Sequence, residues 1–193
     1  MLTIGIATLI TTSIFLGIGL AMDACSVSMA NGLNEPKMKL GKVLLISIMF
    51  GFFQAAMPLL GYFVGSAVLQ YIEKFIPWIA LGLLLFVGGK MIIDGIKGEE
   101  EEEAKALTFK VLIVQAIATS IDALSVGFTI ADYTIIQALV CTLIIAVVTF
   151  AICVGGVYIG KKFGTKLGSK AVILGGIILI CIGLEIFISG MFF

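Results

Sequence analysis

Two aspartates in apolar surroundings are the residues of this chain with the clearest capacity for chemistry. Asp23 lies in MDACSV at 22–27 and Asp122 lies in IDALSV at 121–126, so the pattern D-A-x-S-V occurs twice. A carboxylate at the centre of a membrane helix costs about 2.5–3.5 kcal/mol on insertion scales, and such residues are usually functional. Two of them in matched surroundings indicate one site built from a duplicated element.

The residues around each aspartate supply further oxygen atoms. In a helix, a residue three positions on lies on the same face, so each aspartate is expected to sit beside the serine of its own motif. Hydroxyl and amide side chains within about two turns of the aspartates are possible metal or pathway residues: Ser26, Asn31, Thr119 and Ser125. Two carboxylates with these groups define a doubly negative, all-oxygen site suited to Mn²⁺, Mg²⁺ or Ca²⁺. The chain has no histidine and no clustered cysteines, which disfavours zinc, nickel and copper.

A second apolar stretch contains Gln54 and, one turn later, Pro58. A proline inside a helix frees a backbone carbonyl, and the glutamine places an amide on the same face. Either residue is a candidate oxygen ligand. The alternative is a simple kink beside a hydrogen-bonded glutamine.

The third apolar stretch carries a charged pair of its own. Lys90 and Asp94 are four residues apart, which predicts a structural ion pair along one helix face, although Asp94 is also a possible metal or pathway residue. Glu185 occupies the position in the second half that matches Lys90, but no bridge between the two is assumed. Asp23 and Asp122 then lack an obvious counter-ion, which favours a functional site over a structural one.

Composition places these residues in a membrane protein. The chain is 61% hydrophobic and 12% charged over 193 residues, which excludes an ordinary soluble domain. Six apolar stretches each reach the about 20 residues that a helix needs to cross the bilayer. They lie at roughly 4–30, 43–69, 76–96, 109–131, 134–160 and 170–192. The connections are short, so the activity is expected to reside within the bilayer.

The two halves of the chain match beyond the aspartate motif. GYFVG at 61–65 corresponds to GVYIG at 156–160, and GGKMIIDG at 88–95 corresponds to GLEIFISG at 183–190. Because each half has three helices, the second half must enter the membrane from the opposite face. This predicts an all-α integral membrane protein with six transmembrane helices in a 3+3 inverted repeat, an architecture typical of secondary transporters. The repeats are predicted at 1–96 and 109–193.

The segment 97–108 between the repeats is predicted to be an acidic cytoplasmic linker. Its five glutamates at 99–103 repel one another and are expected to stay solvated, with a role in gathering cytoplasmic cations as the alternative. Ten of the twelve lysines flank loops one, three and five, which predicts that these loops are cytoplasmic and that both termini lie outside.

The chain resembles the MntP-type manganese efflux pumps of the lysine-exporter superfamily. The resemblance is carried by MDACSV, GGKMIIDG, the acidic central loop and, most specifically, ATSIDALSVG at 118–127. It implies export of Mn²⁺ across the bacterial inner membrane, with Asp23 and Asp122 as the essential acids and Mn²⁺ as substrate rather than resident cofactor. Two departures are notable: relatives often have alanine in place of the motif serines, and Asp94 stands where glutamate is more usual.

Several other functions fit the sequence less well than metal export. An exporter of an amino acid or another small cationic solute would also suit two carboxylates, but it needs a larger cavity and a partner for the solute's carboxylate. An intramembrane aspartyl protease is disfavoured because the G-x-G-D element is missing. A thiol–disulfide carrier is disfavoured because Leu124 stands opposite Cys25 in the repeat. No enzyme activity and no nucleic-acid partner are predicted, and the expected partners are a divalent metal ion and the lipid bilayer.

No nucleotide-binding loop is evident in the sequence, so uphill export would draw on an ion gradient or the membrane potential. Two carboxylates close together in a low dielectric cannot both stay ionised cheaply without a metal. Exchange of the metal for protons is therefore expected.

Overall fold

The computed structural model describes residues 5–64, 76–97, 107–167 and 169–192. These residues form seven α-helices and no strand. The helices are α1 (Ile6–Asn34), α2 (Leu40–Val64), α3 (Ile76–Lys97), α4 (Phe109–Ala118), α5 (Ala123–Thr129), α6 (Ile135–Leu167) and α7 (Ser169–Phe192). Helices α4 and α5 together occupy the fourth apolar stretch, so one of the six predicted helices is interrupted.

Three helices among the described residues are long and apolar enough to cross a membrane. They are α1, α2 and the segment Ile135–Gly164 of α6. Shorter apolar segments lie in the other helices, at Leu84–Ile93, Phe109–Ala118 and Ile173–Glu185. Large apolar side chains remain exposed along these helices, as expected where lipid rather than water is the surrounding solvent. The chain is a multi-pass helical membrane protein, as its composition predicts.

The helices of the two halves of the chain pack mainly against each other. The most extensive contacts join α1 to α6 and α3 to α7, followed by α2 to α6 and α2 to α5. Contacts between α1 and α2, which are neighbours in sequence, are few by comparison. The core therefore lies between the two halves, and a side chain from one half can reach the backbone of the other.

Glycines allow the closest of these approaches. A Cβ atom built at Gly61 in α2 would lie 2.2 Å from the carbonyl oxygen of Leu124 in α5. A Cβ atom at Gly160 in α6 would lie 2.1 Å from the carbonyl oxygen of Met29 in α1. No side chain fits at either position, so the glycine motifs of the second and fifth apolar stretches are helix-packing surfaces. Gly65 lies outside the described residues.

The glycines of α3 and α7 allow a second close approach between helices. A Cβ at Gly88 would lie 2.6 Å from the oxygen of Gly176, and a Cβ at Gly176 would lie 2.5 Å from the oxygen of Gly88. A Cβ at Gly183, the repeat counterpart of Gly88, would lie 3.0 Å from Cβ of Leu84. The interface between α3 and α7 is therefore also lined by glycines.

The short connection between α1 and α2 is anchored to the end of α6. Glu35 precedes Pro36, which disfavours continued helix, and its carboxylate pairs with Lys42. The ammonium of Lys161 donates a hydrogen bond of 2.6 Å to the carbonyl oxygen of Met38. These contacts bring the first loop and the C-terminal part of α6 to the same end of the molecule.

Candidate metal site

The second aspartate motif lies where the helix is interrupted. Helix α4 ends at Ala118 and α5 begins at Ala123, so residues 119–122 form turns between them. The hydroxyl of Ser120 donates to the carbonyl oxygen of Ala116 at 2.6 Å, and the hydroxyl of Thr119 donates to that of Gln115 at 3.0 Å. Hydroxyls that bond back to the preceding turn bend helices, and here two such residues are consecutive. Asp122 is therefore in a turn before α5, and the expectation that it lies within a helix is wrong.

Asp122 and Gln54 complete the hydrogen bonds at this break. In a continuous helix the N–H of Ala123 would donate to the carbonyl oxygen of Thr119. Instead it donates to Oδ1 of Asp122 at 2.9 Å, and the Thr119 oxygen accepts a bond of 2.9 Å from Nε2 of Gln54. The interruption is thus satisfied partly by a side chain from another helix.

The first aspartate motif has a different backbone. Asp23 lies inside α1, which continues without a break to Asn34. The hydroxyl of Ser26 donates to the carbonyl oxygen of Met22 at 3.0 Å, so it bonds within its own helix. The two copies of one sequence pattern therefore have different local structures, with one carboxylate on a helix and one at a break.

Gln54 brings the two motifs together. Its side chain is fully buried, and Nε2 donates both to Thr119 of the broken helix and, at 3.0 Å, to the carbonyl oxygen of Leu20 in α1. Leu20 precedes Asp23 by three residues, just as Thr119 precedes Asp122 by three. A single amide thus contacts equivalent positions in the two halves, three residues before each aspartate.

The carboxylates of Asp23 and Asp122 lie close enough for their charges to interact. The Asp23 side chain is half-buried, and Asp122 is exposed. Glu185 of α7 is also within range of the charge on Asp23. Sequence comparison matched Glu185 with Lys90 and assigned it no role at the aspartates. The available signal was its isolated charge in the last apolar stretch.

The other predicted site residues occupy varied positions. Asn31 is buried and forms two amide–amide hydrogen bonds with Gln115 of α4, of 2.9 and 3.3 Å. It lies eight residues beyond Asp23 on α1, or about 12 Å along the helix. Ser125 is exposed near the start of α5. Lys90 is exposed on α3, but the side chain of Asp94 lies outside the described residues, and so does their predicted ion pair.

The described part of the chain contains no group of three or more His, Cys, Asp or Glu side chains arranged to hold a metal ion. A cation between Asp23 and Asp122 would therefore need neutral oxygen ligands from backbone carbonyls, hydroxyls or amides. Hard divalent cations are commonly bound in this way. The donor atoms next to the aspartates are of the right type.

A multi-pass helical membrane protein with two interacting acidic side chains and a helix broken at one of them is of the kind expected for an ion transporter. The family model described as "Putative manganese efflux pump" matches residues 37–187 of the chain. The chain belongs to this family. The matched range includes Asp122 and begins after Asp23.

Relatives that match almost the whole chain carry the name "Putative manganese efflux pump MntP". The protein from Ruminiclostridium cellulolyticum is 44% identical over 186 residues, which cover 95% of this chain and 98% of the relative. The protein from Methanospirillum hungatei is 43% identical, with 94% of each chain covered. The protein from Gloeothece citriformis is 42% identical over 95% of this chain and 97% of the relative. No solved structure matches the chain.

Proposed function

We propose that this protein is a secondary transporter that exports Mn²⁺ from the cytoplasm, and that Asp23 and Asp122 bind the ion between the two halves of the chain. The observation that carries the proposal is the bridge from Gln54 to the carbonyl oxygens of Leu20 and Thr119. It joins the two segments three residues before carboxylates whose charges interact. The names of the relatives supply the identity of the metal and the direction of transport.

The pairing of helices supports an inverted repeat. When the halves are exchanged, the contact of α1 with α6 becomes the contact of the broken helix with α2, and the contact of α3 with α7 becomes itself. The glycine contacts behave in the same way. Gly61 meets the oxygen of Leu124, and its counterpart Gly156 meets the oxygen of Cys25, the residue that matches Leu124.

These correspondences favour six spans, with 1–96 and 109–193 as the two repeats around a linker at 97–108. The contact of Lys161 with Met38 supports a common side for loops one and five. Since these loops carry most of the lysines, that side is the cytoplasm, and the termini are outside a bacterial inner membrane. Extracellular labelling of a cysteine introduced into the first loop would contradict this orientation.

Manganese suits the donor set because the carboxylate, amide and carbonyl oxygens are hard ligands. The aspartates supply two negative charges that a divalent ion would balance. Exchange for protons follows from the same electrostatics. When the metal leaves, two nearby carboxylates in a low dielectric are stabilised by protonation, so protons replace the ion and move inward as the metal moves out.

Replacement of each aspartate by asparagine is the first test. Asp23→Asn and Asp122→Asn remove a charge at nearly constant volume, so each should abolish protection of a deletion strain against Mn²⁺ while the protein stays in the membrane. Asp132→Asn is the matched control, because Asp132 is also an exposed aspartate in a turn next to α5 but lies outside both D-A-x-S-V motifs, so it should remain replaceable. Full protection by Asp23→Asn would contradict the site.

The coupling ion requires proteoliposomes that contain the purified protein. An imposed pH gradient should drive Mn²⁺ movement, and metal transport should move protons in the opposite direction. Transport that is indifferent to the pH gradient and produces no proton flux would refute proton exchange while leaving the metal site intact.

A further inference from the structure

The orientation of the Gln54 amide is determined by its partners. Its two recorded hydrogen bonds go to the carbonyl oxygens of Leu20 and Thr119, at 3.0 and 2.9 Å. Carbonyl oxygens only accept hydrogen bonds, so the NH₂ group must face them. A flipped amide would place its oxygen against two acceptors. Oε1 therefore points away from both carbonyls.

Oε1 of Gln54 is buried, and no hydrogen-bond partner for it exists within the described part of the chain. Buried polar atoms in native proteins nearly always have a partner, which can be a water molecule or an ion. Two other buried side-chain oxygens in the described ranges share this condition, those of Ser28 and Thr149. Thr149 is the counterpart of Gln54 when GYFVG at 61–65 is matched with GVYIG at 156–160. The same position in both repeats thus presents an unsatisfied oxygen.

We propose that Oε1 of Gln54 is a neutral ligand of the Mn²⁺ ion bound by Asp23 and Asp122. This inference rests on the proposed function and deepens it by naming a residue that determines metal preference. An amide oxygen is a hard ligand without charge, so it adds coordination while leaving the charge balance of two carboxylates and one divalent ion unchanged. Nε2 of the same amide is bonded to Leu20 and Thr119, each three residues before one of the aspartates, which ties Gln54 to both segments that carry the carboxylates.

A further consequence links the ligand to the broken helix. Nε2 of Gln54 occupies the carbonyl oxygen of Thr119, which a continuous helix would have used for its own hydrogen bond. A cation on Oε1 would polarise the amide and strengthen its N–H donors. Metal binding would therefore stabilise the interruption before Asp122.

Replacement of Gln54 by methionine tests the assignment, because it removes the amide oxygen and places a thioether sulfur where the amide carbon stands. Methionine in Gln54→Met is of similar length, but its thioether is a soft ligand that favours Cd²⁺ over Mn²⁺. Loss of a supporting group at a metal site lowers metal affinity by about tenfold or more. We therefore expect the affinity for Mn²⁺ to fall by at least about tenfold. The affinity for Cd²⁺ should fall less or rise, so the preference for Mn²⁺ over Cd²⁺ decreases.

The matched control is Gln115→Met. Gln115 is also fully buried and also loses amide hydrogen bonds on replacement, but its oxygen is already occupied by Asn31. Equilibrium dialysis of the full-length protein in lipid nanodiscs against Mn²⁺ alone and Cd²⁺ alone would measure both affinities. Gln115→Met should retain the metal preference of the parent, and a shift equal to that of Gln54→Met would overturn the proposal.

The remaining outcomes separate the ligand from the site. Parallel changes in both affinities for Gln54→Met, or no change in either, would show that the amide is not a ligand. If Asp122→Asn keeps the Mn²⁺ affinity of the parent, the aspartate site itself is wrong. If Gln54→Met does not yield folded protein, the smaller Gln54→Cys permits the same comparison, and an unchanged preference would again overturn the inference.

Discussion

Replacement of Gly61 by alanine is expected to separate α2 from α5 and to reduce transport. The new Cβ atom would lie 2.2 Å from the carbonyl oxygen of Leu124, whereas real Cβ atoms essentially never approach another atom closer than 3.0 Å. The clashing oxygen belongs to the backbone, so no side-chain rotation relieves it. The two helices must therefore move apart by about 0.8 Å, the difference between these distances. Overpacking of this kind costs about 1–3 kcal/mol.

The displacement would reach the metal site because of where it acts. Leu124 is the second residue of α5, and Asp122 immediately precedes that helix. A shift of α5 away from α2 therefore moves the Asp122 carboxylate relative to Gln54. Misplacement of a functional group by about 1 Å can reduce activity 10²-fold. We expect transport to fall by about one to two orders of magnitude, a larger loss than the change in folded protein would account for.

A series of glycine-to-alanine variants provides the assay. The built Cβ lies 2.1 Å from a carbonyl oxygen at Gly160 and 2.8 Å from one at Gly156, and at Gly155 it meets nothing within 4 Å. The loss of Mn²⁺ flux in proteoliposomes and of thermal stability should follow the order Gly160 and Gly61, then Gly156, then Gly155. Native behaviour of Gly61→Ala, or equal damage from Gly155→Ala, would refute the reasoning.

The remaining predictions concern stability. Asn31→Leu or Gln115→Leu alone leaves a buried amide unpaired and should lower the free energy of unfolding by about 1–3 kcal/mol. The double replacement should cost less than the sum of the two single ones. Unfolding in mixed detergent would measure all three changes. Tyr62→Phe removes the hydrogen bond of 2.8 Å from the Tyr62 hydroxyl to a backbone carbonyl, so thermal unfolding should show a loss of about 0.5–1.5 kcal/mol with transport retained. Lys42→Ala breaks a partly exposed pair with Glu35 and should lower the free energy of unfolding by less than about 1 kcal/mol. The loss should be smaller at high salt than at low salt, because salt screens the pair in the parent.

Composition was sufficient to predict the class of this protein. A chain with 61% hydrophobic residues can satisfy its backbone in lipid only within helices or closed barrels, and its long apolar stretches favour helices. The importance of Asp23 and Asp122 was equally readable, because a charge in an apolar stretch is conspicuous without any structure. The glycine motifs at Gly61 and Gly160 also indicated close packing, since small residues at regular spacing mark helix contacts.

The partners of these residues were not readable from the sequence. Helix periodicity and spacing describe one segment at a time, so they predicted a continuous helix through Asp122. At the break, the carbonyl oxygen of Thr119 accepts a hydrogen bond from Gln54 in place of the missing helical one. Gln54 lies 65 residues away from Thr119 in the chain, so the spacing around Asp122 gave no sign of this contact. In the same way, the pairing of Asn31 with Gln115 and the proximity of Glu185 to Asp23 arise where helices from different halves meet. The sequence by itself determined which groups are costly to bury, and only the tertiary structure decided which atoms satisfy them. The reason is that hydrogen bonds and charges act across space, and the separation of two segments along the chain does not tell how far apart they lie in the folded protein.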